Sequence, residues 1–165
     1  MQFNNNLKTV FYPCCGLDID STLNILGEKS YNFIFCDIKY YSNWGVKQRP
    51  NSSVKFLKMD AIEALFKLPK IDILFYRRDG TSEGGSGIEV LGDKYLSTLF
   101  TKFPTSGGQI ITDGSNAFGH RLDQLKLGMV RCGGYNIDLS KTQDFSSLGL
   151  INFLVSKGGQ NVQTR

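Results

Sequence analysis

The chain has 165 residues, 41% of them hydrophobic and 12% aromatic, which suits one domain with a real core and excludes a disordered protein. The net charge of +4 is mild and no run of Lys or Arg exceeds two residues, so a nucleic-acid groove is not indicated. No apolar run could span a bilayer, and the polar first residues do not form a signal peptide. We therefore expect one cytoplasmic domain over residues 1–165, with polar tails at 1–7 and 158–165.

The first predicted unit is a strand over Thr9–Tyr12, a tight turn of small residues over Pro13–Gly16, and a helix that ends near Gly27. Three residues that favour helix N-termini follow the turn: Asp18, Asp20 and Ser21. Turns from a strand into a helix are where open α/β sheets bind phosphate, ribose or adenosine groups. The alternative is an ordinary turn whose small residues serve packing and bind nothing.

A second apolar, aromatic-rich run predicts a buried strand over Tyr31–Ile38, with the acid Asp37 at its end. The spacing from the first turn is about the 20 residues expected between a glycine-type turn and an acid that binds a ribose. The alternative role of Asp37 is that of a cap or turn residue. Trp44 follows in a loop or short helix over 39–53, where it either meets a ligand or covers the core.

The remaining chain alternates between strands and helices. The predicted elements are, in order, strand Val54–Met59, helix Ala61–Leu68 capped by Asp60 and stopped by Pro69, strand Ile71–Tyr76, helix Tyr95–Phe103, strand Gln109–Thr112, helix Gly119–Val130, and a hairpin of strands Tyr135–Leu139 and Leu148–Ser156.

A glycine-rich loop over 77–87 interrupts this pattern, with four glycines in eleven residues. It leaves the carboxyl end of its strand, so it is expected on the same edge of the sheet as Gly16 and Asp37. Four charged residues are therefore candidates for contacting a second ligand or a partner: Arg77, Arg78, Asp79 and Glu83. The alternative is a solvated loop without a ligand.

The four cysteines, at 14, 15, 36 and 132, show no C-x-x-C spacing, and the single histidine, His120, completes no familiar zinc set with them. We expect small core residues in a reducing compartment.

Strands that alternate with helices call for a mainly parallel sheet with right-handed crossovers. Over residues 8–157 the order of elements resembles the class I S-adenosylmethionine-dependent methyltransferase fold. The resemblance implies a three-layer, doubly wound α/β fold with a mainly parallel, seven-stranded sheet. It further implies the strand order 3-2-1-4-5-7-6 and a C-terminal antiparallel hairpin.

The turn after the first strand lies where that family carries its acidic-x-Gly-x-Gly-x-Gly motif. Gly16 matches one glycine of the motif, whereas Cys14 and Asp18 stand at the other two glycine positions. Tyr12 stands at the acidic position, and Asp37 matches the acid that holds the ribose hydroxyls. With S-adenosylmethionine as the implied cofactor, the cofactor-binding residues would be Pro13, Cys14, Gly16, Asp18, Asp37, Asp60, Ala61 and Tyr76.

The first functional hypothesis is a small methyltransferase that acts on a small-molecule or protein acceptor. Methyl transfer requires alignment and sometimes a base, and Asp79 and Asp113 follow the ends of adjacent strands where such a base would lie. With Asn116 they could also hold Mg²⁺, but their spacing departs from that of catechol-type members, so no metal is predicted. No Asn/Asp-Pro-Pro-Tyr motif occurs, which disfavours methylation of amino groups on DNA bases or glutamine.

The second hypothesis is a catalytically silent methyltransferase-like protein that binds a protein partner, such as an immunity or antitoxin-type protein or a phage accessory factor. The partner would meet a rim formed by residues 40–45 and 77–87, where Tyr40, Tyr41 and Trp44 would be surface anchors. The altered glycine turn and small size favour this hypothesis, whereas Asp37 favours the enzyme. A third alternative, another nucleotide-binding Rossmann protein, lacks its G-x-G-x-x-G motif.

Overall fold

The structure is a computed structural model that describes residues 6–42, 44, 49–77, 93–112, 135–138 and 151–157. The strands in this part of the chain are β1 Lys8–Pro13, β2 Tyr31–Asp37, β3 Ser53–Lys58, β4 Ile73–Tyr76, β5 Gly108–Thr112, β6 Tyr135–Asp138 and β7 Ile151–Lys157. The helices are α1 Ile19–Ile25, α2 Ala61–Lys67 and α3 Asp93–Lys102.

The seven strands form one sheet in the order β3-β2-β1-β4-β5-β7-β6. The strands β1 to β5 pair in parallel, and β7 runs antiparallel to both β5 and β6. The prediction of an α/β fold with a mostly parallel sheet and an antiparallel pair at its end is therefore confirmed.

The central strands are mostly apolar and buried, as expected for a sheet that is covered on both faces. In β2, Phe33 and Phe35 join a hydrophobic cluster on one face, while Ile34 and Cys36 join a second cluster on the other. This division follows from the alternation of side chains along a strand.

The described helices cover the two faces of the sheet and give three layers. Helix α1 places Ile19 in the cluster that holds Phe33. Helices α2 and α3 place Leu65 and Leu99 in the cluster that holds Ile34. No exposed surface remains on Ile19, Phe33, Leu65 or Leu99, and Ile34 is 1% exposed.

Helices α1 and α2 differ in whether a side chain caps their N-termini. The Asp60 carboxylate accepts hydrogen bonds from the backbone N–H groups of Ile62 and Glu63 at 2.9 and 3.1 Å, which confirms the predicted cap of α2. Asp18 occupies the corresponding position of α1, but its side chain makes no capping hydrogen bond. Its predicted role as a side-chain cap is therefore wrong, and its actual partners belong to the site described below.

Several predictions fall outside the described residues. These are the glycine-rich loop from position 78 onward, the turn at 113–116 and the helix Gly119–Val130. The predicted hairpin strands are present as β6 and β7 with slightly shifted bounds. Among the described residues, none of the helices has the length and apolar character needed to cross a membrane.

Candidate functional site

The turn between β1 and α1 has a left-handed backbone at two positions. Gly16 has φ +52°, which glycine adopts freely, and Cys14 has φ +54°. A left-handed backbone costs an L-residue with a side chain about 1–2 kcal/mol. Cys14 therefore adopts a backbone conformation that glycine adopts more readily.

Asp37 joins this turn to the end of β2. Its Oδ2 accepts a hydrogen bond from the Gly16 N–H at 3.0 Å, and its Oδ1 accepts one from the Lys39 N–H at 2.9 Å. Each carboxylate oxygen can accept two hydrogen bonds, so a partly exposed Asp37 keeps acceptor capacity for a ligand. The two N–H groups fix the carboxylate at the carboxyl edge of the sheet.

Asp18 and Tyr12, on either side of the turn, contact each other. The buried Tyr12 hydroxyl donates to Asp18 Oδ2 at 2.9 Å, and Arg77 at the end of β4 donates to the same oxygen at 3.1 Å. Burial, followed by the Asp18 charge, raises the pKa of Tyr12 above its usual value, so the phenol stays a neutral donor. These contacts explain why Asp18 does not cap α1.

Trp44 lies beneath the turn and is only 3% exposed. Its ring stacks on Phe56, with centroids 5.2 Å apart, and its Nε1–H donates to the Gly16 carbonyl at 3.3 Å. The prediction that it covers the core is confirmed, and its proposed role as a surface anchor is wrong. Of the other two predicted anchors, Tyr40 is 63% exposed and Tyr41 is half-buried.

The predicted cofactor-binding residues divide by exposure. The partly exposed ones are Cys14, Gly16, Asp18, Asp37 and Asp60. The buried ones are Pro13, Ala61 and Tyr76. Tyr76 has no exposed surface and packs in the core with Ala61, so a ligand outside the core would not meet either side chain.

Two of the three described thiols match the prediction of core cysteines, whereas Cys14 is only partly buried. Cys15 and Cys36 are buried, and burial raises the pKa of both, that of Cys36 to about 12. Both are therefore neutral at pH 7. Among the described residues no three His, Cys, Asp or Glu side chains form a group able to hold a metal ion. The catalytic candidates Asp79 and Asp113, with Asn116, lie outside the described residues.

Sequence reasoning missed two contacts of this site. It assigned Arg77 to a ligand or partner, whereas Arg77 pairs with Asp18, 59 residues away. It also gave no sign that Trp44 would bind the Gly16 carbonyl. Neither contact has a local sequence signal, because each joins segments that only the fold brings together.

Comparison with known proteins shows the fold but no sequence family. No family model matches this sequence, and no curated protein does either. Spermidine synthase from Thermotoga maritima is similar at 14% identity and a TM-score of 0.51, over 94% of this chain and 55% of that one. This chain thus spans about half the length of that synthase.

Two methyltransferase structures are also similar. An S-adenosylmethionine-dependent methyltransferase from Archaeoglobus fulgidus has 18% identity and a TM-score of 0.55, over 86% of this chain and 68% of that one. The plantazolicin methyltransferase BamL, solved with S-adenosylhomocysteine and a triazolic desmethylPZN analog, has 13% identity and a TM-score of 0.56, over 93% and 79%. These likenesses show a methyltransferase-like fold.

Proposed function

We propose that this chain is a small methyltransferase-like protein that binds S-adenosylmethionine at the turn 14–18 and at Asp37. The observation that carries the proposal is the Asp37 carboxylate, which two backbone N–H groups hold at the carboxyl edge of the sheet while it stays partly exposed. An acid at that position of an open α/β sheet suits the hydroxyl groups of a ribose.

The charges on the other side of the turn also suit this ligand. The Asp18 and Arg77 side chains are 32% and 34% exposed, so both ends of their ion pair remain partly accessible. An amino-acid group carries one ammonium and one carboxylate, and this pair offers one opposite charge for each. Asp18 would then take part in binding rather than crowd the cofactor.

The remaining roles follow from the chemistry of methyl transfer. When bound, S-adenosylmethionine supplies a methyl group on a sulfonium, which a nucleophilic acceptor attacks. Asp37 would hold the ribose, Asp60 would border the adenine, and the turn 14–18 would surround the amino-acid group. Asp79 or Asp113 would take the acceptor's proton, and the acceptor would be a small molecule or a protein.

Calorimetric titration with S-adenosylmethionine and S-adenosylhomocysteine tests this proposal. We expect micromolar binding that Asp37→Ala weakens by about 1.5–3 kcal/mol, roughly 10- to 150-fold, because a charge-assisted hydrogen bond is lost. Asp20→Ala, which removes an exposed acid on α1, is the matched control and should leave the affinity within about twofold.

The variants need a fold check, because Asp37→Ala also removes the partner of the Gly16 N–H. Asp37→Asn keeps an acceptor there, and circular dichroism would show that each variant is folded. Absence of heat with both ligands, or equal affinity in a folded Asp37→Ala variant, would contradict the proposal.

One observation favours the second candidate, a catalytically silent protein that binds a partner. Three of the four strongly exposed large hydrophobic residues in the described part of the chain lie at this edge: Leu17, Ile38 and Tyr40, at 62–63% exposure. Apolar side chains grouped there suit the centre of a protein interface. If this candidate is correct, the parent protein binds neither S-adenosylmethionine nor S-adenosylhomocysteine, and a protein partner co-purifies with it. A Leu17→Ser/Tyr40→Ser variant then loses that partner. Retention of the partner by that variant would argue against it.

A further inference from the structure

A cavity of about 340 Å³ lies at the opposite edge of the sheet. Its lining includes Lys8, Tyr31 and Ile73, which are the first residues of β1, β2 and β4. Because these strands are parallel, their amino ends share an edge that is remote from the turn and Asp37. The volume lies within the range of about 300–1,000 Å³ that is typical of small-molecule sites.

A pair of hydrogen-bonded amides, one buried and one half-buried, forms part of the lining. Gln109 on β5 donates its Nε2–H to Asn152 Oδ1 on β7 at 2.8 Å, and Asn152 is only 3% exposed. Within the described part of the chain, the Asn152 Nδ2 group has no hydrogen-bond acceptor. A buried donor without an acceptor is unfavourable, so a ligand oxygen at this position would satisfy it.

The mouth of the cavity carries charges of both signs. Lys8, Glu28 and Lys29 are exposed lining residues, and none forms an ion pair with another described residue. The two ammonium groups and one carboxylate give a net charge of +1, which favours an anion.

The lining exposes more polar than apolar surface, and its apolar part comes from a few side chains. Leu26, Tyr31 and Ile73 are all buried lining residues, with at most 8% exposure. An inorganic anion would make no favourable contact with these three side chains, whereas the apolar part of an organic anion would bury against them.

We propose that this cavity binds a small organic carboxylate with an apolar body and a polar oxygen at its far end. The carboxylate pairs with Lys8 and Lys29 at the mouth, and the apolar body packs between Leu26 and Ile73. The distal oxygen accepts a hydrogen bond from Asn152 Nδ2. This site does not depend on the function proposed above, because it shares no residue with the turn 14–18 or with Asp37.

The probe is 4-hydroxybenzoate, which carries a carboxylate, an aromatic ring and a distal hydroxyl in one molecule. Nuclear magnetic resonance observes the side-chain NH₂ groups of Asn152 and Gln109 directly, and Asn152→Asp assigns the first of them. Addition of 4-hydroxybenzoate should shift both signals, whereas phenol should bind at least fivefold more weakly (about the effect of one lost charge pair). Unchanged Asn152 signals at millimolar probe, or equal binding of phenol, would overturn the proposal.

Charge variants provide the second readout. Lys8→Gln and Lys29→Gln should each weaken 4-hydroxybenzoate binding about two- to fivefold, as expected for partly solvated ion pairs. Lys67→Gln, which removes an exposed lysine on the other face of the sheet, is the matched control and should have no effect. Asp37→Ala should also leave this binding unchanged. If both mouth variants bind as the parent does, the assignment of the carboxylate to the lysines is wrong.

Discussion

The contact between Tyr12 and Asp18 predicts an unequal response to the loss of each partner. The Tyr12 hydroxyl is buried, with 2% exposure of the residue, and Asp18 is its acceptor at 2.9 Å. Asp18→Ala leaves this buried donor without its acceptor, whereas Tyr12→Phe removes the donor itself. The Asp18 carboxylate in Tyr12→Phe still has Arg77 and, being a third exposed, water.

The expected magnitudes follow from this difference. Tyr12→Phe should lower the free energy of unfolding by about 1 kcal/mol, the net value of an ordinary hydrogen bond. Asp18→Ala should lower it by about 2–3 kcal/mol, because a buried hydroxyl without a partner adds its desolvation cost. Tyr12→Phe introduced into Asp18→Ala should therefore raise the stability by about 1 kcal/mol, which reverses the sign of its effect in the parent.

Urea unfolding followed by far-ultraviolet circular dichroism measures all four proteins, and a constant slope against urea shows that only stability has changed. Asp18→Asn is the matched control, since it removes the charge but keeps an oxygen for the Tyr12 hydroxyl. It should lower the free energy of unfolding by less than Asp18→Ala does. If Tyr12→Phe destabilises both backgrounds equally, water replaces Asp18 and the reasoning is refuted.

Three further predictions concern the fold around the site. Gly108→Ala should lower the free energy of unfolding by about 3 kcal/mol, because a Cβ there would lie 2.2 Å from the Phe103 ring. Gly27→Ala should lower it by about 1 kcal/mol, because Gly27 has φ +67° but open space around it. Equal urea midpoints for the two variants would contradict this prediction. Asp60→Ala should lose about 1 kcal/mol of helix capping in the same assay, and Asp60→Ser should recover most of it. The pKa of Cys36, raised to about 12, means that above pH 9 the unfolded chain releases a thiol proton that the folded chain keeps. Stability should therefore fall from pH 9 toward pH 12, and in Cys36→Ala the melting temperature should fall less steeply over that range. If the melting temperatures of both proteins have the same pH dependence, the raised pKa of Cys36 is refuted.

The sequence determined the elements because their signals are local. The four consecutive apolar residues 33–36 of β2 indicated a strand buried on both faces, and the structure places their side chains in two clusters. Asp60 before the apolar pattern of α2 indicated a cap, and its carboxylate accepts hydrogen bonds from two free N–H groups of that helix. Such signals depend on neighbours along the chain, so they can be recognised without knowledge of the tertiary structure.

Only the tertiary structure decided how the side chains at the turn are used. Asp18 has the same local preference for capping as Asp60, but the fold brings Tyr12 and the distant Arg77 within hydrogen-bond reach, and these donors take its carboxylate. Trp44 is buried because Phe56 of β3 lies beneath it. A polar or aromatic side chain has several partners available in principle, and its choice depends on distant atoms that periodicity and spacing do not report.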